Sequence, residues 1–140
     1  MPELVYPLRA GRGAVIKVLV RHAGPTWPGE SPPVVGPLAA YLDTGAGITL
    51  LDQGVIRSLG LKPKGEAGLH VLGRDDVSFH GVYDVEIALA VETELPRWLP
   101  LTVLEGTVNP KGTVAAVGRD FLTHFHLSYD GPAGRFAVRW

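Results

Sequence analysis

The chain has 140 residues, a formal net charge of −1 and 46% hydrophobic residues, and it contains no cysteine. This length and composition predict one globular domain over residues 1–140, with enough apolar residues to build its own core. The near-neutral charge argues against nucleic acid as a partner, because there is no excess positive field to hold a phosphate backbone. The absence of cysteine excludes disulfide bonds, a thiol nucleophile and thiolate metal ligands.

No segment of the sequence predicts a signal peptide or a membrane anchor. The most apolar stretch near the start, residues 14–20, carries Lys17 in its middle. It is also much shorter than the ~20 residues that a spanning helix needs. We therefore expect no membrane partner and a cytoplasmic location, which the lack of cysteine also fits.

The composition favours a mostly β fold. The 18 glycines and 12 prolines break helices and mark tight turns, while the many Val and Leu residues favour extended segments. Residues 1–13 are expected to form a flexible arm, and residues 15–20 a strand. Residues 24–37 contain five prolines and three glycines and predict a surface loop, because proline lacks the amide donor of helices and central strands.

The middle of the chain places an acidic residue at a turn between two apolar extended segments. Residues 38–42 predict a buried strand that leads into Asp43. After a glycine-containing turn at 45–47, residues 48–51 resume an extended apolar run. Asp43 is therefore expected at a turn between two buried strands.

The rest of the chain predicts a short helix and several strands. The helix covers residues 53–59, with Asp52 as its N-cap and Gly60 as its stop. The other expected elements are extended runs at 70–79 and 82–91 with a turn at 73–76 or near Gly81, strands at 101–104 and 113–117, a brief helix at 119–124, and a C-terminal hairpin over 125–140.

Two short motifs carry the candidate chemistry. The first is Asp-Thr-Gly at 43–45, which follows apolar residues and precedes Ala46; the second is Val-Ala-Ala-Val-Gly-Arg-Asp at 114–120. Together they resemble the retroviral-type, or retropepsin-like, aspartic proteases, whose pattern has Asp-Thr/Ser-Gly-Ala and, later, an apolar pair before Gly-Arg-Asp/Asn. The resemblance covers roughly residues 39–127. It implies a closed acid-protease β-barrel lobe with one or two short helices and a flap hairpin.

The resemblance implies peptide hydrolysis by a pair of carboxyl groups. One group must remove a proton from water while another protonates the peptide carbonyl oxygen, and two carboxyls that share one proton can do both. Each chain offers only Asp43, so the expected enzyme is a homodimeric aspartic endopeptidase without a metal or other cofactor. Thr44 would hydrogen-bond across to the partner loop, and Gly45 would let substrate backbone approach closely.

Further site residues follow from matching positions in the family. Ala46 keeps the surroundings of the acid small, and Gly45, Gly47 and Ile48 are expected to offer main-chain groups to an extended peptide. A flap is expected at about 71–82. The expected substrate-binding set is Tyr41, Ala46, Gly47, Ile48, Leu50, Gly73, Val114 and Ala116, in which Tyr41, Leu50, Val114 and Ala116 form pocket walls.

Gly118, Arg119 and Asp120 are expected to be structural residues. In the family this arginine lies inside the protein and ties the helix to the loop after the catalytic glycine. Its usual acidic partner would stand at position 47, which is glycine in this chain. Asp120 or a backbone carbonyl is the expected replacement partner.

Other interpretations of these residues remain open. Asp43 can be an Asx-turn acid on a connecting loop. His124 and His126 have a spacing that a metal could use on a strand, but no third ligand is indicated. A non-catalytic dimeric binding or assembly module of the same fold is the alternative function. It is supported by the proline-rich insertion, by Gly47 and by the long C-terminal hairpin.

Overall fold

The structure, a computed structural model, describes residues 2–10, 13–24, 28–70, 73, 75–108 and 112–140. Within these ranges the chain is mostly β, with short helices, as the composition predicted. The elements are β1 (Glu3–Pro7), β2 (Val15–His22), β3 (Val34–Leu42), β4 (Leu50–Leu51), α1 (Gln53–Ser58), β5 (Gly65–His70), β6 (Val77–Leu89), β7 (Leu99–Glu105), β8 (Ala115–Val117), α2 (Arg119–Leu122), β9 (His126–Asp130) and β10 (Arg135–Arg139).

Six strands close into a barrel, in the order β2-β3-β8-β4-β7-β6. The closing contact is the antiparallel pairing of β2 with β6, from Val18 opposite Leu89 to His22 opposite Val85. Strand β5 pairs with the first half of β6 and forms a hairpin that extends from the barrel. Closure removes the free edges of these strands. The expected closed barrel is therefore confirmed.

The barrel interior is filled by apolar side chains from alternate positions of its strands. Val18 and Val20 on β2 are fully buried, and so are Val85 and Ile87 on β6. Successive side chains of a strand point to opposite faces, so this spacing directs one row of each strand inward. Helix α1 adds Val55 and Ile56, and it begins where the Asp52 carboxylate accepts the Gly54 amide at 2.8 Å.

A second sheet has the order β1-β10-β9. Phe136 and Val138 on β10 are buried and belong to the main core cluster. Tyr6 on β1 stacks on Phe136, with ring centroids 5.2 Å apart. Burial raises the pKa of the Tyr6 phenol. The C-terminal hairpin predicted over 125–140 is thus present as β9 and β10.

The structure differs from the flexible arm expected at residues 1–13. This segment contains β1, which pairs antiparallel with β10 from Glu3 opposite Arg139 to Pro7 opposite Arg135. The partner strand lies at the far end of the chain, and local sequence carries no sign of that pairing. Leu4 packs against the core from β1. The first segment is therefore tied to the last one.

The loop expected at 24–37 is also shorter than predicted. Strand β3 begins at Val34 and includes Pro37. The register between β2 and β3 shifts between Val18 and Val20, opposite this part of β3. A proline is tolerated at such an irregularity, because the ladder does not require its missing amide there.

The predicted break near Gly81 is wrong, because β6 runs without interruption from Val77 to Leu89. The ring of Tyr83 lies only 3.0 Å from where a β-carbon on Gly81 would stand. This glycine gives room to an aromatic ring within a strand and does not mark a turn. The connection between β5 and β6 includes Gly73, which has a φ of +83°. The other turn position that we considered, 73–76, falls between the end of β5 at His70 and the start of β6 at Val77.

No helix in the described ranges is long and apolar enough to cross a membrane.

We predict that Phe136→Ala lowers the free energy of unfolding by about 3–5 kcal/mol, since it removes a fully buried ring and leaves a cavity. The ring is only 1% exposed. Urea unfolding at one fixed protein concentration measures the change. Leu95→Ala is the control, because Leu95 is 94% exposed, and it should change the value by less than about 0.5 kcal/mol. Equal effects of the two substitutions would contradict this packing account.

Candidate active site

Asp43 lies directly after β3 and is held by main-chain contacts on both sides. Its amide donates to the carbonyl of Val117 at 3.0 Å, which continues the parallel pairing of β3 with β8. Its carbonyl accepts the Ala46 amide at 3.2 Å, and its Oδ1 accepts the Gly45 amide at 3.0 Å. The hydrogen bond from the Gly45 amide to Oδ1 of Asp43 forms an Asx-type turn. No described residue donates to Oδ2, so one oxygen of this half-buried carboxyl remains available.

Thr49 joins the segment after Asp43 to the start of α2. Its side chain is fully buried. The hydroxyl donates to Oδ1 of Asp120 at 2.7 Å and accepts the Gly118 amide at 3.1 Å. The Thr49 amide donates to Oδ2 of Asp120 at 3.0 Å. One hydroxyl and one carboxylate thus connect the two sequence motifs.

Sequence reasoning did not assign Thr49 to the site. The available signal was a hydroxyl residue within the apolar run 48–51. A buried hydroxyl needs hydrogen-bond partners, so such a residue indicates a polar network inside the fold. The acid of the second motif supplies that network, which explains why Asp120 does not pair with Arg119.

Gly118 permits the close approach of the two motifs. A β-carbon there would lie 2.8 Å from the carbonyl oxygen of Ala46 and 3.0 Å from that of Ile48. These are backbone atoms that cannot move aside easily. The adjacent amide of Arg119 donates to the same Ala46 carbonyl at 2.8 Å. Only glycine fits at this crossing without displacing the Asp43 loop.

Arg119 uses a backbone carbonyl as its partner, which was one of the two alternatives expected from the sequence. Its Nη1 donates to the carbonyl of Thr44 at 2.9 Å. A β-carbon on Gly47 would stand 3.4 Å from Nη2, so a side chain at position 47 would touch the guanidinium. No described acidic residue forms an ion pair with Arg119. Arg119 therefore ties α2 to the loop without an internal acid.

An apolar row crosses the outer side of the barrel beside the Asp43 loop. Ala116 is paired with Tyr41 on one side and with Leu50 on the other. Leu50 is in turn paired with Leu104, and Leu104 with Val82. Directly paired residues point to the same face of a sheet. We call Tyr41, Ala116, Leu50, Leu104 and Val82 the outer row.

The outer row contains three of the four pocket walls expected from the sequence. Val114, the fourth, is half-buried and packs against the core cluster. Leu104 and Val82 were not expected. The sequence signal for Leu104 was its position directly after another apolar residue, Val103, because consecutive apolar residues in a strand indicate that both of its faces are covered.

The β5–β6 hairpin is anchored to β7 by polar contacts at its base. His80 Nδ1 lies 2.7 Å from the carbonyl oxygen of Glu105, and its Nε2 lies 2.7 Å from the hydroxyl of Ser78. Tyr83 donates to the Glu105 carboxylate at 2.9 Å. Burial, and then this hydrogen bond, raise the pKa of the Tyr83 phenol. Half of the connection at the far end, residues 71, 72 and 74, lies outside the described ranges.

The two histidines considered as metal ligands are both exposed, His124 after α2 and His126 on β9. Among the described residues there is no group of three or more His, Cys, Asp or Glu side chains placed to hold a metal ion.

Comparison of the fold with solved structures gives clear similarities. No protein-family model and no curated protein sequence matches the chain. The crystal structure of a retropepsin-like aspartic protease from Rickettsia conorii superimposes with a TM-score of 0.58 and 14% identity, over 98% of this chain and 89% of that one. EIAV protease in complex with the inhibitor HBY-793 gives a TM-score of 0.45 and 18% identity, over 79% of this chain and 86% of that one.

We predict that Thr49→Val destabilises the protein by about 1–3 kcal/mol, although valine has nearly the same shape. The substitution leaves the buried Gly118 amide without its acceptor and removes one donor to Asp120. Urea unfolding of the variant checks this. Thr107→Val, at an exposed threonine, is the matched control and should have little effect. Unchanged stability in Thr49→Val would show that the hydroxyl does not hold the two motifs together.

Proposed function

We propose that this chain, whose fold is retropepsin-like, is a homodimeric aspartic endopeptidase. The observation that carries the proposal is the geometry of Asp43. Its carboxyl stands at the end of a buried strand, on a loop fixed from both sides, with Oδ2 free of described donors. A fixed carboxyl with an available oxygen suits a group that exchanges protons with water.

The reaction requires two such groups. One ionised Asp43 takes a proton from a water molecule, and the oxygen of that water attacks the peptide carbonyl carbon. The protonated Asp43 of a second copy gives its proton to the carbonyl oxygen. Collapse of the tetrahedral intermediate returns that oxygen to a carbonyl and transfers a proton to the leaving amine. One chain has a single acid of this kind, so the active form contains two.

The surroundings of Asp43 fit an extended peptide. Gly45, Ala46 and Gly47 have small or no side chains, so substrate backbone can approach the loop closely. The outer row lies beside the loop, and its partly exposed members, Tyr41, Leu50 and Val82, offer an apolar surface to side chains of the peptide. We propose that the β5–β6 hairpin acts as a flap over this apolar surface. Thr44 is proposed to hydrogen-bond to the partner's loop and to keep the two acids aligned.

We expect Asp43→Asn to lower peptide turnover by at least about a hundredfold while the protein stays folded, because an amide can neither accept nor share the catalytic proton. Hydrolysis of a peptide library, read by mass spectrometry, measures turnover. Circular dichroism and sedimentation check the fold and the assembly.

Mixing the two chains makes this test specific for a shared site. A mixed dimer has only one acid and should be inactive. Wild-type chains that exchange freely with an equal amount of Asp43→Asn chains should therefore retain about half of their activity. In a threefold excess of Asp43→Asn chains they should retain about a quarter. Activity that does not change on mixing would show that one chain is sufficient. A wild type that cleaves no peptide would favour the non-catalytic binding module.

The pH dependence of turnover should be bell-shaped. The reaction needs one carboxyl that donates a proton and one that accepts a proton, so it fails at high pH, where no donor remains, and at low pH, where no base remains. Initial rates across the acidic and neutral range give the profile. A rate that still rises through about pH 9 would point to a different catalytic group.

A further inference from the structure

Ser78 and His80 form a hydrogen-bonded pair on β6, within the β5–β6 hairpin. They stand two positions apart on an extended strand, so their side chains point to the same face. The pairing of Ser78 with Leu69 and of His80 with Ala67 fixes their place in the hairpin. The Ser78 hydroxyl oxygen lies 2.7 Å from Nε2 of His80. A hydroxyl and a base at this distance are placed for direct proton transfer.

The second ring nitrogen of His80 determines which tautomer the ring adopts. Nδ1 lies 2.7 Å from the main-chain carbonyl oxygen of Glu105. A carbonyl oxygen can only accept a hydrogen bond, so Nδ1 carries a proton and donates it to this contact. In the neutral ring Nε2 then has a free lone pair, and the Ser78 hydroxyl donates to it. His80 is therefore oriented as a base toward the Ser78 hydroxyl.

The carbonyl that orients His80 belongs to the barrel. Glu105 is the last residue of β7 and is paired with Leu51 of β4. The next amide, that of Gly106, donates to the Leu51 carbonyl at 3.0 Å. The side chain of Glu105 is also held, because its carboxylate accepts the Tyr83 hydroxyl at 2.9 Å. The position of the imidazole is thus set by a closed sheet.

The pair is open to solvent on the side of the nucleophile. Ser78 is exposed, whereas His80 is half-buried. A hydroxyl beside a base that a third group orients is the arrangement of an activated serine nucleophile. The peptidase reaction proposed for Asp43 uses neither residue.

We propose that Ser78 and His80 form a second catalytic site, at which the Ser78 oxygen takes an acyl group from a small carboxylic ester and passes it to water. The substrate class is an ester with an acidic leaving group, such as an aryl ester, because such a group departs with the least help at the carbonyl oxygen. The reaction requires neither Asp43 nor a second copy of the chain.

The two steps balance as follows. The Ser78 oxygen bonds to the ester carbonyl carbon while Nε2 of His80 takes the hydroxyl proton. The bond from that carbon to the leaving oxygen breaks, and the leaving oxygen receives the proton from Nε2. Water then attacks the acyl-serine and gives a proton to Nε2, and that proton returns to the Ser78 oxygen as the carboxylic acid departs. The net reaction converts an ester and water to an acid and an alcohol.

Labelling with 4-nitrophenyl acetate tests the site within the wild-type protein. Samples quenched in acid and digested should carry an acetyl group on Ser78, mapped by mass spectrometry. Ser31 and Ser58 are the internal controls, because both are exposed serines, and the Ser58 hydroxyl donates to a carbonyl instead of a base. Ser78 should be acetylated at least about tenfold faster than either control. Equal labelling of the three serines would overturn the proposal.

A substitution of the base tests the role of His80. His80→Gln should slow the acetylation of Ser78 by about a hundredfold or more, because an amide cannot accept the hydroxyl proton. His70→Gln is the matched control: His70 is an exposed histidine of the same hairpin, paired with Val77 and so on the opposite face from Ser78. This control should leave the rate unchanged. Undiminished labelling in a folded His80→Gln variant would refute base catalysis, and the comparison of serines decides if that variant does not fold.

Turnover and the peptidase assay give separate results. The wild type should release more 4-nitrophenolate than there is protein, as absorbance measures, and an acetyl group that stays on Ser78 would refute the transfer to water. A protein that is acetylated at Ser78 but cleaves no peptide would refute the aspartic peptidase and support this second site. A peptidase whose Ser78 is labelled no faster than Ser31 would refute the second site and leave the peptidase standing.

Discussion

The buried hydroxyl of Thr49 is the contact on which the candidate site depends. It joins two segments that are 69 residues apart, by accepting the Gly118 amide while it donates to Asp120. Gly118 in turn lies against the carbonyls of Ala46 and Ile48. The loop that carries Asp43 is therefore fixed by a network inside the barrel. This support holds the loop in place, while the Asp43 carboxyl accepts the Gly45 amide through Oδ1 and keeps Oδ2 free of described donors.

The number of acids sets a second constraint. A proton-sharing pair needs two carboxyls, and the chain has a single Asp-Thr-Gly motif, which supplies one carboxyl, that of Asp43. In the proposed peptidase, assembly and catalysis depend on one another, because one carboxyl cannot be proton donor and proton acceptor at the same time.

Local signals in the sequence were sufficient to predict much of this structure. Asp52 and the apolar spacing after it predicted α1, and the apolar run before Asp43 predicted the end of β3. Long-range pairing was not predictable: nothing in residues 3–7 shows that they pair with a strand at the other end of the chain. Glycine is common in turns, but it also occurs within strands where a neighbouring ring needs room, so the sequence could not show that Gly81 lies in a strand beside Tyr83. The partner of Arg119 is a carbonyl, which every residue possesses, so residue type could not identify it.

The central claim is that two chains form one site, and the stoichiometry of a transition-state mimic tests it most directly. A peptide whose scissile carbonyl is replaced by a secondary alcohol places a hydroxyl where the attacking water would stand, and such mimics bind more tightly than substrate. Calorimetric titration should give one peptide bound for every two chains, with binding much weakened in Asp43→Asn. One peptide for each chain, or equal binding by the variant, would contradict a site built from two Asp43 residues.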